Sequence, residues 1–281
     1  MRNIELNLNN HYRSLEKKIS KYLAVTKTSF SSSSTYLINL FAKSFPTFIR
    51  IWIFMQLYET TFSVRGISSV NGLTVTMTIW ILAFAQSFQS STRPPVSRIV
   101  NDEVRSGDLQ YVISRPYSYL GFHYFSQLGK IVAFLLPNIA VAVLASLFFV
   151  GLISFSIQGI LWGILLLFLG LTLDFLMSFS LGILAFWVED ATSFTWIYHK
   201  AQIILGGLII PISMFPDGVR KIVEWLPFSQ IFYSSALTMV AFDMQVAKKF
   251  LLIQGFWIVL ILGIITWAFN RGTRNISING G

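Results

Sequence analysis

Asn101-Asp-Glu-Val-Arg-Ser-Gly-Asp-Leu-Gln-Tyr-Val-Ile-Ser-Arg-Pro-Tyr-Ser-Tyr119 is the longest polar passage between apolar runs in this chain. It holds Asp102, Glu103, Arg105, Asp108 and Arg115 in close succession. From about residue 36 to residue 270 the rest is mostly apolar. Unpaired charges do not remain in hydrocarbon, so this island lies in water and the runs around it lie elsewhere. Composition says where. Of 281 residues, 54% are hydrophobic and only 12% charged, against about 25% charged in a soluble domain. The chain therefore reads as an all-α polytopic membrane protein.

Six helical spans follow from the apolar runs, since a hydrocarbon core of about 30 Å takes roughly 20 apolar residues. They cover 43–63, 72–91, 126–151, 157–188, 194–215 and 250–270. Pro46 lies near the start of the first and Pro137 marks a kink in the third. The runs are too long and unbroken for barrel strands. Three regions result: a cytoplasmic N-terminal segment (1–35), the membrane domain (36–270) and a cytoplasmic tail (271–281). In the N-terminal segment Leu15, Ile19, Tyr22 and Leu23 make one apolar stripe among Arg2, Arg13, Lys17, Lys18, Lys21 and Lys27. That is the pattern of a basic helix on a membrane surface; a basic tail without structure is the other reading. Ser31 to Ser34 read as a flexible joint. The first 35 residues lack the apolar core and cleavage site of a signal peptide.

Placing both termini inside puts twelve Lys and Arg in the inner segments and five in the outer ones. The positive-inside rule therefore puts the termini and the polar island in the cytoplasm. The same rule accounts for the net charge of +9. No basic soluble patch is interleaved with stacking aromatics, which argues against nucleic acid. There is no cysteine, so disulfides and thiolate metal sites are excluded.

Catalytic chemistry has no visible constellation. His11, His123 and His199 are scattered without metal-ligand spacing. There is no nucleophile elbow. No phosphate loop occurs, because the Gly129-Lys130 pair is followed by Ile131. If ATP drives this protein, another polypeptide binds it. Asp174 is the one acid deep within a span, and such a residue is by default a functional signal. It reads either as a carboxyl protonated or hydrogen-bonded to Ser178, or as part of a substrate path. Lys130 and Lys200 are possible partners nearer the cytoplasmic side. Arg50 and Lys43 read as interfacial anchors. Gly159 and Gly163 have the spacing of a close helix contact, within the subunit or between subunits.

The island carries more. After Pro94-Pro95, Val96, Ile99, Val100 and Val104 recur at helical spacing among charges, predicting a short amphipathic helix that Gly107 ends. At roughly thirty residues the segment exceeds the ~12–15 of an ordinary connection, and its mixed-charge face suits a cytoplasmic partner. Between spans five and six, Asp217 to Leu226 predict a second amphipathic helix. Residues 228–242 are apolar but too short to cross, which predicts a re-entrant segment.

Together these features resemble an ABC-2 type transporter permease, of the six-span branch found beside a second permease and a separate ATPase and related to antibiotic and daunorubicin-type exporters. The resemblance rests on Glu103-x-Arg105-x-Gly107-x-Leu109 followed by Arg115-Pro116-x-Ser118, on Phe186-Trp187-x-Glu189-Asp190, and on Gly206-Gly207…Pro211…Phe215-Pro216. The tail Arg271-Gly272-x-Arg274, closing on Gly280-Gly281, is similar too. Asp174 has no counterpart in the family pattern. The resemblance implies a permease subunit of an ATP-driven exporter with no ATPase site of its own. ATP and Mg would sit on partner ATPase subunits, and a second permease would complete a homo- or heterodimer. It implies that Arg98, Glu103, Arg105, Gly107, Leu109, Arg115 and Pro116 couple to the ATPase. Glu103 and Arg105 would make charged contacts, Leu109 an apolar one and Gly107 the turn. Gly206, Gly207, Pro211, Pro216 and Pro227 would shape an outer gate. An amphipathic drug, lipid or peptide is the implied substrate; an ion-coupled transporter or channel using Asp174 is the alternative.

Overall fold

The computed structural model of the chain describes residues 19–35, 37–115, 117–188 and 190–279. Arg2, Arg13, Leu15, Lys17, Lys18, Pro116, Glu189 and Gly280-Gly281 lie outside the described residues. What is described is almost all helix. The order is α1 (19–34), α2 (Leu37–Arg65), a hairpin of β1 (Ser69–Val70) and β2 (Leu73–Thr74), α3 (Val75–Ser91), α4 (Val96–Ser106), α5 (Leu109–Ile113), α6 (Tyr119–Val150) and α7 (Ile157–Ile183). Then come α8 (Thr192–Leu205), α9 (Asp217–Trp225), α10 (Pro227–Ile231), α11 (Tyr233–Val240) and α12 (Met244–Asn279).

Among the described residues, three helices are long and apolar enough to cross a membrane: Tyr119–Val150, Ile157–Phe186 and Met244–Gly272. They correspond to the third, fourth and sixth expected spans. The other three fall short for separate reasons. α2 is 29 residues long, but Arg50, Gln56 and Glu59 interrupt its apolar character. α3 has 17 residues, because a hairpin takes residues 69–74. α8 has 14, because the chain leaves the helix at Gly206. Many large apolar side chains nevertheless stay exposed along outer faces, among them Trp52, Leu136, Phe148, Leu161, Val259 and Trp267. Soluble surfaces rarely tolerate this, and a lipid-facing surface requires it.

Short α3 is the centre of the packing. Nearly every residue from Thr78 to Gln89 is buried, against α2, α6 and α11. A helix apolar on all sides belongs in a core. The hairpin before it turns on Asn71-Gly72, both at positive φ (50° and 80°), the preference of a two-residue hairpin turn. Asn71 Nδ2 donates to Ser213 O at 2.6 Å, tying this end of α3 to the chain after α8.

α7 carries a run of glycines that decides its neighbours. A Cβ on Gly159 would sit 2.9 Å from Thr238 O, one on Gly163 2.2 Å from Met239 Cγ, and one on Gly170 2.1 Å from Ile231 O. All three face α10 and α11, so the Gly159–Gly163 spacing serves contact within the subunit. The same contact fixes the apolar segment expected to be re-entrant. Residues 229–236 are buried against α3, α7 and α12. Gln254 of α12, fully buried, donates to Leu166 O (3.1 Å), Gln230 O (2.7 Å) and Ser234 Oγ (3.2 Å).

α1 covers the described part of the segment expected as a surface helix, and it packs on α6. Tyr22 stacks on Phe125 (4.8 Å between centroids), and Thr26 Oγ1 donates to Phe125 O at 3.0 Å. Gly129 admits the α1 backbone, since a Cβ there would lie 2.3 Å from Thr26 O. α1 therefore packs along the first half of α6 through Tyr22, while Ile19 and Leu23 remain exposed. The serine run is no joint: it stays helical to residue 34, with Ser34 Oγ donating to Phe30 O at 2.8 Å.

Candidate functional site

The polar island folds into two short helices. Pro95, extended at φ −70°, opens α4, and Gly107 closes it in the left-handed region at φ 82°, where a side chain would be strained. Its apolar stripe packs inward as the spacing predicts. Val96 and Val100 are buried, and Gly182 of α7 receives them, since a Cβ there would meet Val100 Cβ at 2.7 Å and Ser97 O at 2.9 Å. The Ser97 amide donates to Ser178 Oγ at 3.3 Å. The Ala191 amide donates to Asn101 Oδ1 at 2.9 Å, fastening α4 to the start of α8.

Two of the residues expected to couple to an ATPase, Glu103 and Leu109, pack inward. Glu103 accepts from Tyr119 Oη at 2.5 Å, and its Oε2 lies 3.1 Å from His123 Nε2; it is a tether between α4 and α6. Burial pushes its carboxyl up, but the hydrogen bonds from His123 and Tyr119, helped by the pull of His123 and Arg115, hold it below its ordinary value. Leu109 is 2% exposed and belongs to the core, so a docking contact through its side chain is corrected. The residues left outward include Asp102, Arg105, Gly107, Asp108, Gln110, Tyr111 and Arg115. Arg105 stands 3.6 Å from Asp190 with both half exposed, a pair that contributes little to stability. Asp190 is held below its ordinary value by the Thr192 hydroxyl and amide. Arg115 lies over the Tyr111 ring at 4.8 Å and donates to Tyr117 Oη at 2.8 Å. Arg98 points along a different side, into a cleft against α8.

Asp174 is engaged, but by neither lysine nor Ser178. Tyr198 Oη (2.7 Å) and Gln202 Nε2 (2.8 Å) both donate to its Oδ1. These two sit four apart on α8 and so share one face. One turn on from Asp174, Ser178 Oγ accepts from the Ser97 amide of α4 at 3.3 Å. Asp174 therefore lies closer to α4 than its place in the middle of a span suggests. The Tyr198-x3-Gln202 spacing was the available signal for this partner set. For Glu103 it was Tyr119 and His123, also four apart.

The expected gate residues mark the breaks in the chain from the end of α8 to the start of α10. After α8, Gly206 approaches Gln202 O and Gly207 takes φ 67°. The break leaves carbonyls without helical donors, a cost in an apolar interior. Gln86 Nε2 donates to Leu208 O (2.6 Å) and Tyr58 Oη to Ile209 O (2.7 Å). Pro211 precedes a turn of 3-10 helix, Pro216 caps α9 and Pro227 opens α10. Asp217 is the first residue of α9 and pairs with Arg220 at 2.9 Å. On α9, Val223 is buried while Val219 and Ile222 are exposed.

An ABC-2 family transporter protein model matches residues 45–280 of this chain. The chain belongs to the ABC-2 transporter family. No individual curated protein matches it. As an ABC-2 permease it is a multi-pass membrane subunit of an ABC transporter, and permeases of this family carry no ATPase of their own. In this ABC-2 permease the α4–α5 element, the Asp174 cluster and the turn after α8 are the three polar features that the helices position.

Proposed function

We propose that this permease is half of a permease dimer in an ATP-driven exporter, and that separate ATPase subunits dock on the exposed α4–α5 face. The observation that carries the reading is the two-sidedness of that element. Its inner side is locked to α6, α7 and α8 through Glu103, Val100 and Asn101. Its outer side offers Asp102, Arg105, Asp108, Tyr111 and Arg115 to water. A lever needs both: a surface to be pushed and a rigid connection to what moves. In this reading ATP and Mg are held by the partners, both termini and α4–α5 lie in the cytoplasm, and six helical passages surround the path. Three of those passages are short or interrupted. The turn at Gly206–Pro211 and the buried α10–α11 segment form the outer gate, and an amphipathic drug, lipid or peptide is the cargo. Nothing supports the ion-coupled alternative, since Asp174 is taken up by Tyr198 and Gln202.

The test is co-purification of ATPase subunits with tagged full-length permease from its source membranes. Arg105→Glu with Arg115→Glu should cut recovered ATPase at least about tenfold, because like charges opposed in an interface cost several kcal/mol. Lys221→Glu, on α9, should leave recovery unchanged. Full recovery with the double variant, at normal membrane insertion, would place the docking surface elsewhere.

A further inference from the structure

Between the α3–α4 corner, α4 and α8 lies a cleft of about 260 Å³. Arg93, Arg98 and Lys200 line it together with Asn101, His199 and Trp196. Among the described residues no carboxylate stands within ion-pair distance of any of these three cations. Asp174, behind the cleft on α7, is occupied by Tyr198 and Gln202. Arg50 adds to the same positive quarter, since it donates to Ser90 Oγ at 2.9 Å, three residues before Arg93. His199 lies one turn before Gln202, whose amide nitrogen is taken up by Asp174 and Tyr198. Three cations converging on one hollow are an unbalanced charge, and an anion is the complement.

The neighbourhood narrows the anion further. The Lys200 ammonium lies 5.2 Å over the Trp196 ring. Trp196, Ile197 and Ile204 are exposed apolar side chains on α8, each close to 60% accessible. A cationic hollow edged by an aromatic and flanked by an apolar outer surface is the arrangement of a membrane interface. Headgroups and Lys or Arg meet there, and acyl chains continue along the helix. We propose that this cleft binds the phosphate of an anionic phospholipid, with the guanidinium groups of Arg93 and Arg98 and the ammonium of Lys200 as its donors and the acyl chains along α8. The site joins the lipid leaflet to α4 itself, since Arg98 and Asn101 belong to that helix. It goes beyond the exporter reading and does not depend on any ATPase partner.

The experiment uses full-length permease in phosphatidylcholine nanodiscs containing a minor share of spin-labelled phosphatidylglycerol or, in parallel, spin-labelled phosphatidylcholine. The immobilised fraction reports association. The native chain should hold the anionic label in preference to the neutral one. The preference should fall about fivefold per charge removed in Arg93→Gln, Arg98→Gln and Lys200→Gln, and survive in Arg93→Lys with Arg98→Lys. Lys221→Gln with Lys248→Gln, off the cleft, should keep the native preference. An equal preference in the cleft variants, or its loss in the control pair, overturns the proposal. Displacement of the label by millimolar inorganic phosphate would assign the cleft to a soluble phosphate and overturn the lipid assignment.

Discussion

Gly170→Ala isolates the contact that organises the helices. The added methyl carbon would lie 2.1 Å from Ile231 O, 3.0 Å from Ile231 C and 3.2 Å from Gln230 O. Unstrained contact begins near 3.4 Å, so α7 and α10 must separate by more than an ångström. The obstacle is a main-chain carbonyl, which has no rotamer to change. α10 is also held from its other side, with Gln254 bonded to Gln230 O at 2.7 Å and Gln230 Nε2 bonded to Glu224 O at 2.6 Å. Overpacking of this kind costs ~1–3 kcal/mol, and a rigid obstacle places it at the upper end, about 3 kcal/mol. For a chain of this size that corresponds to a melting temperature roughly 6–12 °C lower. Gly163→Ala should cost less, because Met239 is a side chain that can turn aside. Gly255 and Gly263 of α12 supply the control: a Cβ at either meets nothing within 4 Å. Alanine there should be neutral or stabilising by about 0.5–1 kcal/mol, from backbone entropy alone. The assay is the thermal transition of tryptophan fluorescence for full-length protein in detergent. If Gly170→Ala melts with Gly255→Ala, the buried seating of α10 against α7 is wrong.

Two further outcomes follow from the polar clusters. Asp174→Asn keeps an oxygen for Tyr198 and Gln202, whereas Asp174→Leu leaves both donors buried and unpaired; the leucine variant should lose about 2–6 kcal/mol more, and identical melting of the two would deny those hydrogen bonds. For Glu103 the folded carboxyl lies below its unfolded value, so its tether is fully present above an unfolded pKa of ~4.3. It is lost as pH falls through the lower folded value. Hydrogen exchange across residues 96–106 should therefore stay slow from neutral pH into the carboxylate range and rise below it. Glu103→Gln should remove that pH step, and a step that persists in the variant would trace to another group.

The sequence alone determined the class of protein and the existence of most helices. A charge deficit and long apolar runs admit only helices in a bilayer, because unpaired backbone groups are intolerable there. The periodicity of Val96, Val100 and Val104 and the break at Gly107 made α4 legible. These signals are local: each depends on residues within a few turns of one another. What the sequence could not say is which side of α4 each charge faces, because that depends on helices far along the chain. Glu103 turns inward only because Tyr119 and His123 stand on α6. Asp174 finds Tyr198 and Gln202 only because α8 lies beside α7. Two expected spans proved short for a reason composition does not carry. Composition measures apolarity, but the length of α3 and the end of α8 are set by the Asn71-Gly72 hairpin and the turn at Gly207. Side chains of distant elements, Asn71, Gln86 and Tyr58, then satisfy the carbonyls of the segment that follows α8. Local pattern decides what a segment can be, and tertiary packing decides what its polar atoms meet.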